Sequence, residues 1–369
     1  MADPSTKLGA DIRLMGVYKI FGPRPADFVE AVHRGMGKME LLKHNHVLGL
    51  RDISLDIPAG AIQVIMGLSG SGKSTLIRHI NRLIEPSSGA VLVDGVDVCA
   101  MNPDALRDFR RKQTAMVFQK FGLLPHWSVL DNTMFGLKIR GTPVAQARDT
   151  AMRWIERVGL KGYETKYPNQ LSGGMQQRVG LARALANDAP ILLMDEAFSA
   201  LDPLIRVDMQ TVLLDLQKEV RKTIVFITHD LDEALRLGDR VAILRDGEVV
   251  QKGTAQDIVL RPADDYIASF VKEVNRGRVI VTASVMHPIG SPGTARPDGL
   301  PEVPGEVPLE TAAKIMTEAG TMDAVVLGPD GRAAGILSMR DVITAMVTPV
   351  GHTAAPPRPA PALVHAAAG

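Results

Sequence analysis

The sequence predicts an α/β protein built on a largely parallel sheet, followed by a smaller α/β unit. Three observations carry that prediction. Short apolar stretches alternate with helical ones from about residue 12 to 275, a glycine-rich loop joins one such stretch to a helix, and a Pro/Gly-rich break near 283 precedes a second helix and strand pattern.

The strand-like stretches are "AIQVIM" (61–66), "TAMVFQ" (114–119), "ILLMDE" (191–196), "TIVFIT" (223–228) and "VAILRDGEVVQKG" (241–253). They are short, apolar and β-branched, as strands buried on both faces are. The last differs, because Asp246-Gly247 between two strand-like runs reads as a hairpin turn. Residues from about 120 to 185 read as a helical subdomain inserted between two core strands. Residues 22–49 read as an inserted helical element with Phe28, Val29, Val32 and Met36 on one face. The first domain is therefore expected over 1–275, a linker over 276–308, one compact helix–strand–turn–strand–helix unit over 309–348, and a disordered Ala/Pro-rich tail over 349–369.

Composition excludes several classes. The 369 residues suit two or three domains, and 46% hydrophobic content can fill a sizeable core. Lys+Arg of 42 against Asp+Glu of 41 gives a formal charge of +1, so no global field steers the chain to nucleic acid or acidic lipid. The single cysteine, Cys99, fits a reducing compartment. The first residues lack the basic and apolar regions of a signal peptide, and no run reaches the ~18 apolar residues of a membrane span. Metal binding at His44-x-His46 is disfavoured, since residues two apart do not share a helix face and no further ligands cluster nearby.

The loop "GLSGSGKST" (67–75) meets the pattern G-x-x-x-x-G-K-[ST] through Gly67, Gly72, Lys73 and Ser74, and it lies between a strand and a helix. In that context Gly67, Ser69, Gly70, Gly72, Lys73, Ser74 and Thr75 form a phosphate cradle at a helix N-terminus. Lys73 would reach the β- and γ-phosphates of a nucleotide, and the Ser74 hydroxyl would ligate Mg²⁺. "ILLMDE" then supplies Asp195 for the metal and Glu196 as general base for an attacking water. A second anion-binding turn, Ser172-Gly173-Gly174, opens the helical run "GGMQQRVGLARAL". One nucleotide needs one phosphate loop, so Ser172 and Gly174 are expected to close over a nucleotide held by a second copy of the chain.

These motifs, in this order, resemble the ATP-binding subunits of ABC transporters over about 260 residues. The resemblance implies further roles. Gln119 in "MVFQKFGLLPH" would join the metal site to a membrane partner, "LSGG" (171–174) is the family signature, and Asp202 in "SALD" belongs to the loop that couples two sites. His229 in "FITHD" would contact the γ-phosphate, and Phe21 in "VYKIFG", with Tyr18 second, would stack on adenine. Met175 stands where most signatures carry glutamine. Together with "NRLIEP", "DEAFSALDPLIR" and the insert at 22–49, it resembles the quaternary-amine importers for glycine betaine and proline.

A homodimer, an integral membrane permease, a substrate-binding protein acting through it, and a place on the cytoplasmic face of the inner membrane are all implied by that resemblance. Another solute such as choline, or a non-transport ABC ATPase, is the alternative. The apolar patch Phe121, Leu123, Leu124, Trp127 and Phe135 is expected to line a groove for a permease helix. "DAVVLGPDGRAAGILSMRDVITAM" (323–346) resembles one CBS motif, which implies a regulatory role sensing ionic strength or a nucleotide, with dimerisation alone as the alternative.

Overall fold

The computed structural model describes residues 9–289 and 299–347. The chain divides into two compact units, residues 1–255 and 256–369. The tail expected over 349–369 lies outside the described residues.

The first unit runs β1 (Ile12–Phe21), α1 (Ala26–His33), α2 (Lys38–Lys43), β2 (Val47–Ile57), β3 (Ile62–Met66), α3 (Lys73–Ile80), β4 (Ser88–Val93), β5 (Val96–Asp97), α4 (Pro103–Lys112) and β6 (Thr114–Phe118). It continues through α5 (Val129–Ile139), α6 (Val144–Arg157), α7 (Gly173–Ala186), β7 (Ile191–Asp195), α8 (Pro203–Val220), β8 (Thr223–Thr228), α9 (Leu231–Leu237), β9 (Arg240–Arg245) and β10 (Glu248–Gly253). Two sheets form, an antiparallel one ordered β2-β1-β4-β5 and a six-stranded one ordered β10-β9-β3-β8-β7-β6. All pairs of the second are parallel except the β9–β10 edge hairpin.

Every residue of β3, β7 and β8 is buried, which is why these stretches read as predominantly apolar runs rather than alternating ones; the one polar residue inside β3, Gln63, donates to main-chain carbonyls. The core draws on both sheets and α3: Ile12, Leu14 and Ile53 from the antiparallel side, Leu193, Val225 and Leu244 from the parallel side, and Leu76, Ile77 and Ile80 from the helix. Asp246 and Gly247 both take positive φ, 57° and 84°, as a two-residue hairpin turn between right-twisted strands requires.

The insert folds as two short helices rather than one element, because the chain breaks at Gly35, where φ is 109°. Its apolar face nonetheless forms as read: Phe28, Val29 and Met36 pack on a small core of Ile20, Val32, Leu41 and Leu48. His46 is absorbed here as well, its ring nitrogens each 2.6 Å from a carbonyl oxygen, those of His44 and Pro23.

The second unit carries α10 (Ala255–Leu260), which opens at the boundary, α11 (Asp265–Val271), α12 (Arg276–Val279), β11 (His287–Pro288), β12 (Glu302–Pro304), α13 (Leu309–Glu318), β13 (Asp323–Leu327), β14 (Ala333–Ser338) and α14 (Met339–Val347). The helix–strand–turn–strand–helix order of 309–347 is as the sequence predicts. The stretch expected as a linker, 276–308, instead contributes α12, β11 and β12, and the sheet is ordered β11-β14-β13-β12. The physical reason is apolar: Ile280 and Val303 are fully buried with Leu309, Met316, Val326 and Leu337 in one core.

His79, on α3, is fully buried, with Nδ1 2.6 Å from the Thr75 carbonyl oxygen and Nε2 without a partner among the described residues. Burial pushes its imidazole down from 6.5 to about 4, so the folded state holds it neutral. The unfolded chain binds that proton more readily, so the contribution is complete above pH 6.5 and is lost as pH falls from 6.5 towards 4. Denaturant titrations should show stability falling by about 2 kcal/mol more between pH 7 and pH 5 in the natural chain than in His79→Gln.

Candidate functional site

Four adjacent parallel strands end at one edge of the sheet, and each delivers a candidate residue there. Gln119 follows β6, Asp195 ends β7 with Glu196 just beyond it, His229 follows β8, and Lys73 opens the helix after β3. The carboxyl ends of parallel strands are where open α/β sheets bind ligands, because the helix N-termini converge there.

The loop 67–72 is held by its backbone. A Cβ on Gly67 would lie 2.3 Å from the Leu244 carbonyl oxygen, and one on Gly72, where φ is 102°, 2.7 Å from that of Gly49. Both positions therefore require glycine. The Gly247 N–H donates to the Ser71 carbonyl at 3.1 Å, so the β9–β10 turn buttresses the loop.

Inside the loop, the Lys73 ammonium is 4% exposed and donates to the carbonyls of Gly67 at 2.7 Å and Leu68 at 3.0 Å. Burial pushes its pKa down, while Glu196, 3.6 Å from Nζ, and Asp195 oppose that shift. Gly70 has φ of 78° and open space where a Cβ would stand, and Ser71 Oγ is buried with no partner among the described residues. A glycine loop around a cation, carrying an orphaned hydroxyl, suits a phosphate group.

The two carboxylates face different partners. Ser74 Oγ donates to Asp195 Oδ1 at 2.8 Å, and Arg78 pairs with Oδ2 at 3.2 Å. Glu196 Oε2 accepts from Gln119 Nε2 at 3.2 Å and stands 3.5 Å from His229 Nδ1. Its backbone is left-handed, φ 46°, and is held by Glu196 N–H donating to the Ile227 carbonyl at 3.2 Å and Ser199 Oγ donating to the Glu196 carbonyl at 2.9 Å. A non-glycine residue in that region costs on the order of 1 kcal/mol and persists only where its surroundings fix it. Hydroxyl, carboxylate and amide oxygens from Ser74, Asp195 and Gln119 are hard donors, the kind that a magnesium ion takes.

A second group gathers at two helix N-termini. Ser172 caps α7, its Oγ accepting from Met175 N–H at 3.4 Å, and Asp202 caps α8, its Oδ1 accepting from Ile205 N–H at 3.1 Å. They are neighbours, since a Cβ on Gly174 would lie 2.6 Å from Ile205 Cγ2. Phe21 ends β1, 38% exposed, with Lys19 Nζ 5.1 Å from its ring centre and Gly49 beneath it. Tyr18 is occupied elsewhere, its ring 4.4 Å from that of His33 within the insert. Thr75 lies half-buried on α3 and Ser69 is exposed in the loop.

Sequence reasoning missed Arg78 and the support that Ser199 gives Glu196. Ser199 lies in "SALD", but nothing local reveals that it supports Glu196. Arg78 meets Asp195 only through the pairing of β7 into the sheet, which no spacing encodes.

A glycine-rich loop folded on a buried lysine, opposite two separately aimed carboxylates, defines a phosphate-loop nucleoside triphosphatase. Residues 50–199 match the family described as ABC transporter, and residues 298–348 match the CBS domain. The glycine betaine/proline betaine transport system ATP-binding protein ProV of Escherichia coli (strain K12) is 45% identical over 346 residues, 93% of this chain and 84% of that protein. The glycine betaine transport ATP-binding protein OpuAA of Bacillus subtilis (strain 168) is 51% identical over 276 residues, 74% of this chain and 66% of that one.

The dimeric post-hydrolysis structure of the ATP-binding cassette MJ0796 bound to ADP and Pi aligns with a TM-score of 0.56 and 33% identity, covering 66% of this chain and 98% of that one. The chain belongs to the ABC transporter ATP-binding proteins, ATP-hydrolysing subunits with, here, a C-terminal CBS domain.

Removing the buried ammonium tests the loop directly. Lys73→Ala should weaken ATP binding by about 10- to 100-fold, the worth of charge-assisted hydrogen bonds, as read by equilibrium titration with a fluorescent nucleotide.

Proposed function

We propose that this chain is the ATP-hydrolysing motor subunit of an importer for glycine betaine and proline-type osmolytes. The observation that carries the hydrolytic reading is Glu196, whose Oε2 lies within 3.2 Å of Gln119 and 3.5 Å of His229 while Oε1 is 3.6 Å from Lys73. The solute class is supported by the relatives, ProV and OpuAA, whose names carry glycine betaine.

In this reading Gly67, Ser69, Gly70, Gly72, Lys73, Ser74 and Thr75 cradle the phosphates, and Phe21 stacks on adenine. Glu196 Oε2 takes a proton from the attacking water, which His229 and Gln119 hold in line with the γ-phosphoryl group. The Lys73 ammonium offsets charge on the phosphoryl oxygens. When bound, Mg²⁺ would be held by Ser74, Asp195 and Gln119 and would supply further neutralisation of that charge.

Two copies close head to tail, so that Ser172 and Gly174 of one complete the phosphate site of the other while Asp202 couples the two. Dimeric MJ0796 supports that arrangement. Hydrolysis removes the γ-phosphate from the interface, and the opening is transmitted to a membrane permease that receives solute from its binding protein. The chain sits peripherally on the cytoplasmic face of that membrane; among the described residues no helix is long and apolar enough to cross it. The CBS domain tunes this cycle in response to ionic strength or a nucleotide.

Glu196→Gln should keep ATP binding, lower turnover by about 10²- to 10⁴-fold and accumulate an ATP-dependent dimer on size exclusion. Wild-type turnover would reject the general base. Reconstituted with its permease and binding protein in lipid, the natural chain should hydrolyse ATP faster with glycine betaine than without solute. Indifference to every quaternary amine would leave the ATPase and reject the cargo.

A further inference from the structure

The segment that carries Gln119 lies along α7, the helix that Ser172 caps. Phe121 and Gly122 both take left-handed backbone, φ 53° and 59°, which turns their carbonyls out of any regular pairing. Arg183, in the last turn of α7, donates to both: Nη1 to the Gly122 carbonyl at 2.6 Å and Nη2 to that of Phe121 at 3.3 Å. Gly180, one turn earlier on the same face, also borders this segment, since a Cβ there would lie 3.5 Å from the Phe121 carbonyl oxygen, an ordinary contact. The Phe121 ring in turn reaches the start of the helix, 3.7 Å from where a Cβ on Gly173 would stand.

One residue thus touches α7 at both ends, with its ring beside the signature turn and its carbonyl on the arginine. Arg183 is half-buried, and among the described residues no carboxylate pairs with it. Burial depresses its pKa. A guanidinium kept without an acid is spent on main-chain carbonyls, and its planar fork spans two of them where an ammonium would serve as a point donor.

We propose that Arg183 is a positioning residue for hydrolysis: it clamps the main chain of Phe121 and Gly122 to α7, so that Gln119, two residues upstream, moves with the helix that begins at Ser172. Closure of Ser172 over a nucleotide is then felt at Glu196 through Gln119, whose Nε2 also lies 3.3 Å from Ser199 Oγ. Arg183 acts through the main-chain carbonyls it binds, not on the reacting atoms. This inference rests on the reading of Gln119 and Glu196 as parts of one hydrolytic centre. It also assigns Phe121 to internal packing on α7 rather than to a groove for a permease helix.

The test is a cycle of kinetics on the full chain. Arg183→Met should lower kcat by about 10- to 100-fold, the loss expected for hydrogen bonds to a charged group, with KM for ATP and nucleotide affinity within about twofold. Arg183→Lys should recover part of kcat. In a Gln119→Ala background, Arg183→Met should cost less than about threefold further, because its route is already cut. Unchanged kcat in Arg183→Met, or a rise in KM alone, overturns the proposal. Independent, multiplicative losses in the double variant also overturn it while leaving Gln119 in the site. A Gln119→Ala chain with unaltered kcat would instead reject the reading beneath. Should Arg183→Met fail to fold, the same cycle with Arg183→Lys decides, and multiplicative losses there overturn the proposal equally.

Discussion

A buried ammonium sets the terms for the rest of the site. Lys73 is almost wholly enclosed, and an enclosed charge is costly unless hydrogen bonds and opposite charge surround it. The loop meets that requirement by turning the carbonyls of Gly67 and Leu68 onto Nζ, with Glu196 behind them. So tight a curl brings main chain against main chain. Gly67 meets the end of β9 and Gly72 meets Gly49 of β2, at distances no side chain could share. The β9–β10 hairpin and the antiparallel sheet, which hold none of the reacting groups, are thereby part of the phosphate loop's support.

Much of this was legible in the sequence, and the reasons are specific. β3, β7 and β8 announce themselves because burial on both faces makes them short, predominantly apolar runs without an alternating polar face. The Asp246–Gly247 turn is legible because few residue pairs accept two consecutive positive φ angles. Lys73 and Ser74 follow from local spacing that a strand–loop–helix unit fixes, and Asp195 from the apolar run 191–196 that ends in two carboxylates.

What escaped depends on parts of the chain that meet only after folding. Arg78 finds Asp195 across 117 positions of sequence, and Arg183 finds Phe121 across 62. The stretch 276–308 reads as a linker because strands of two and three residues are too short to show periodicity, even though Ile280 and Val303 anchor a core. The insert reads as one element because its apolar face continues across the Gly35 break.

The neighbouring carboxylates Asp195 and Glu196 show how backbone conformation divides labour between adjacent residues. A continuing strand would send consecutive side chains to opposite faces of the sheet, burying one of the pair away from the other's chemistry. Asp195 keeps β geometry and points to Ser74 and Arg78. Glu196 leaves the strand in left-handed backbone, and its carboxylate swings to Gln119 and His229, which arrive from the strands on either side of β7. The left-handed backbone at one residue is thus what allows two consecutive acids to meet different side chains at the same end of the sheet. Ser199 and the Ile227 carbonyl offset the cost through their hydrogen bonds to the Glu196 main chain.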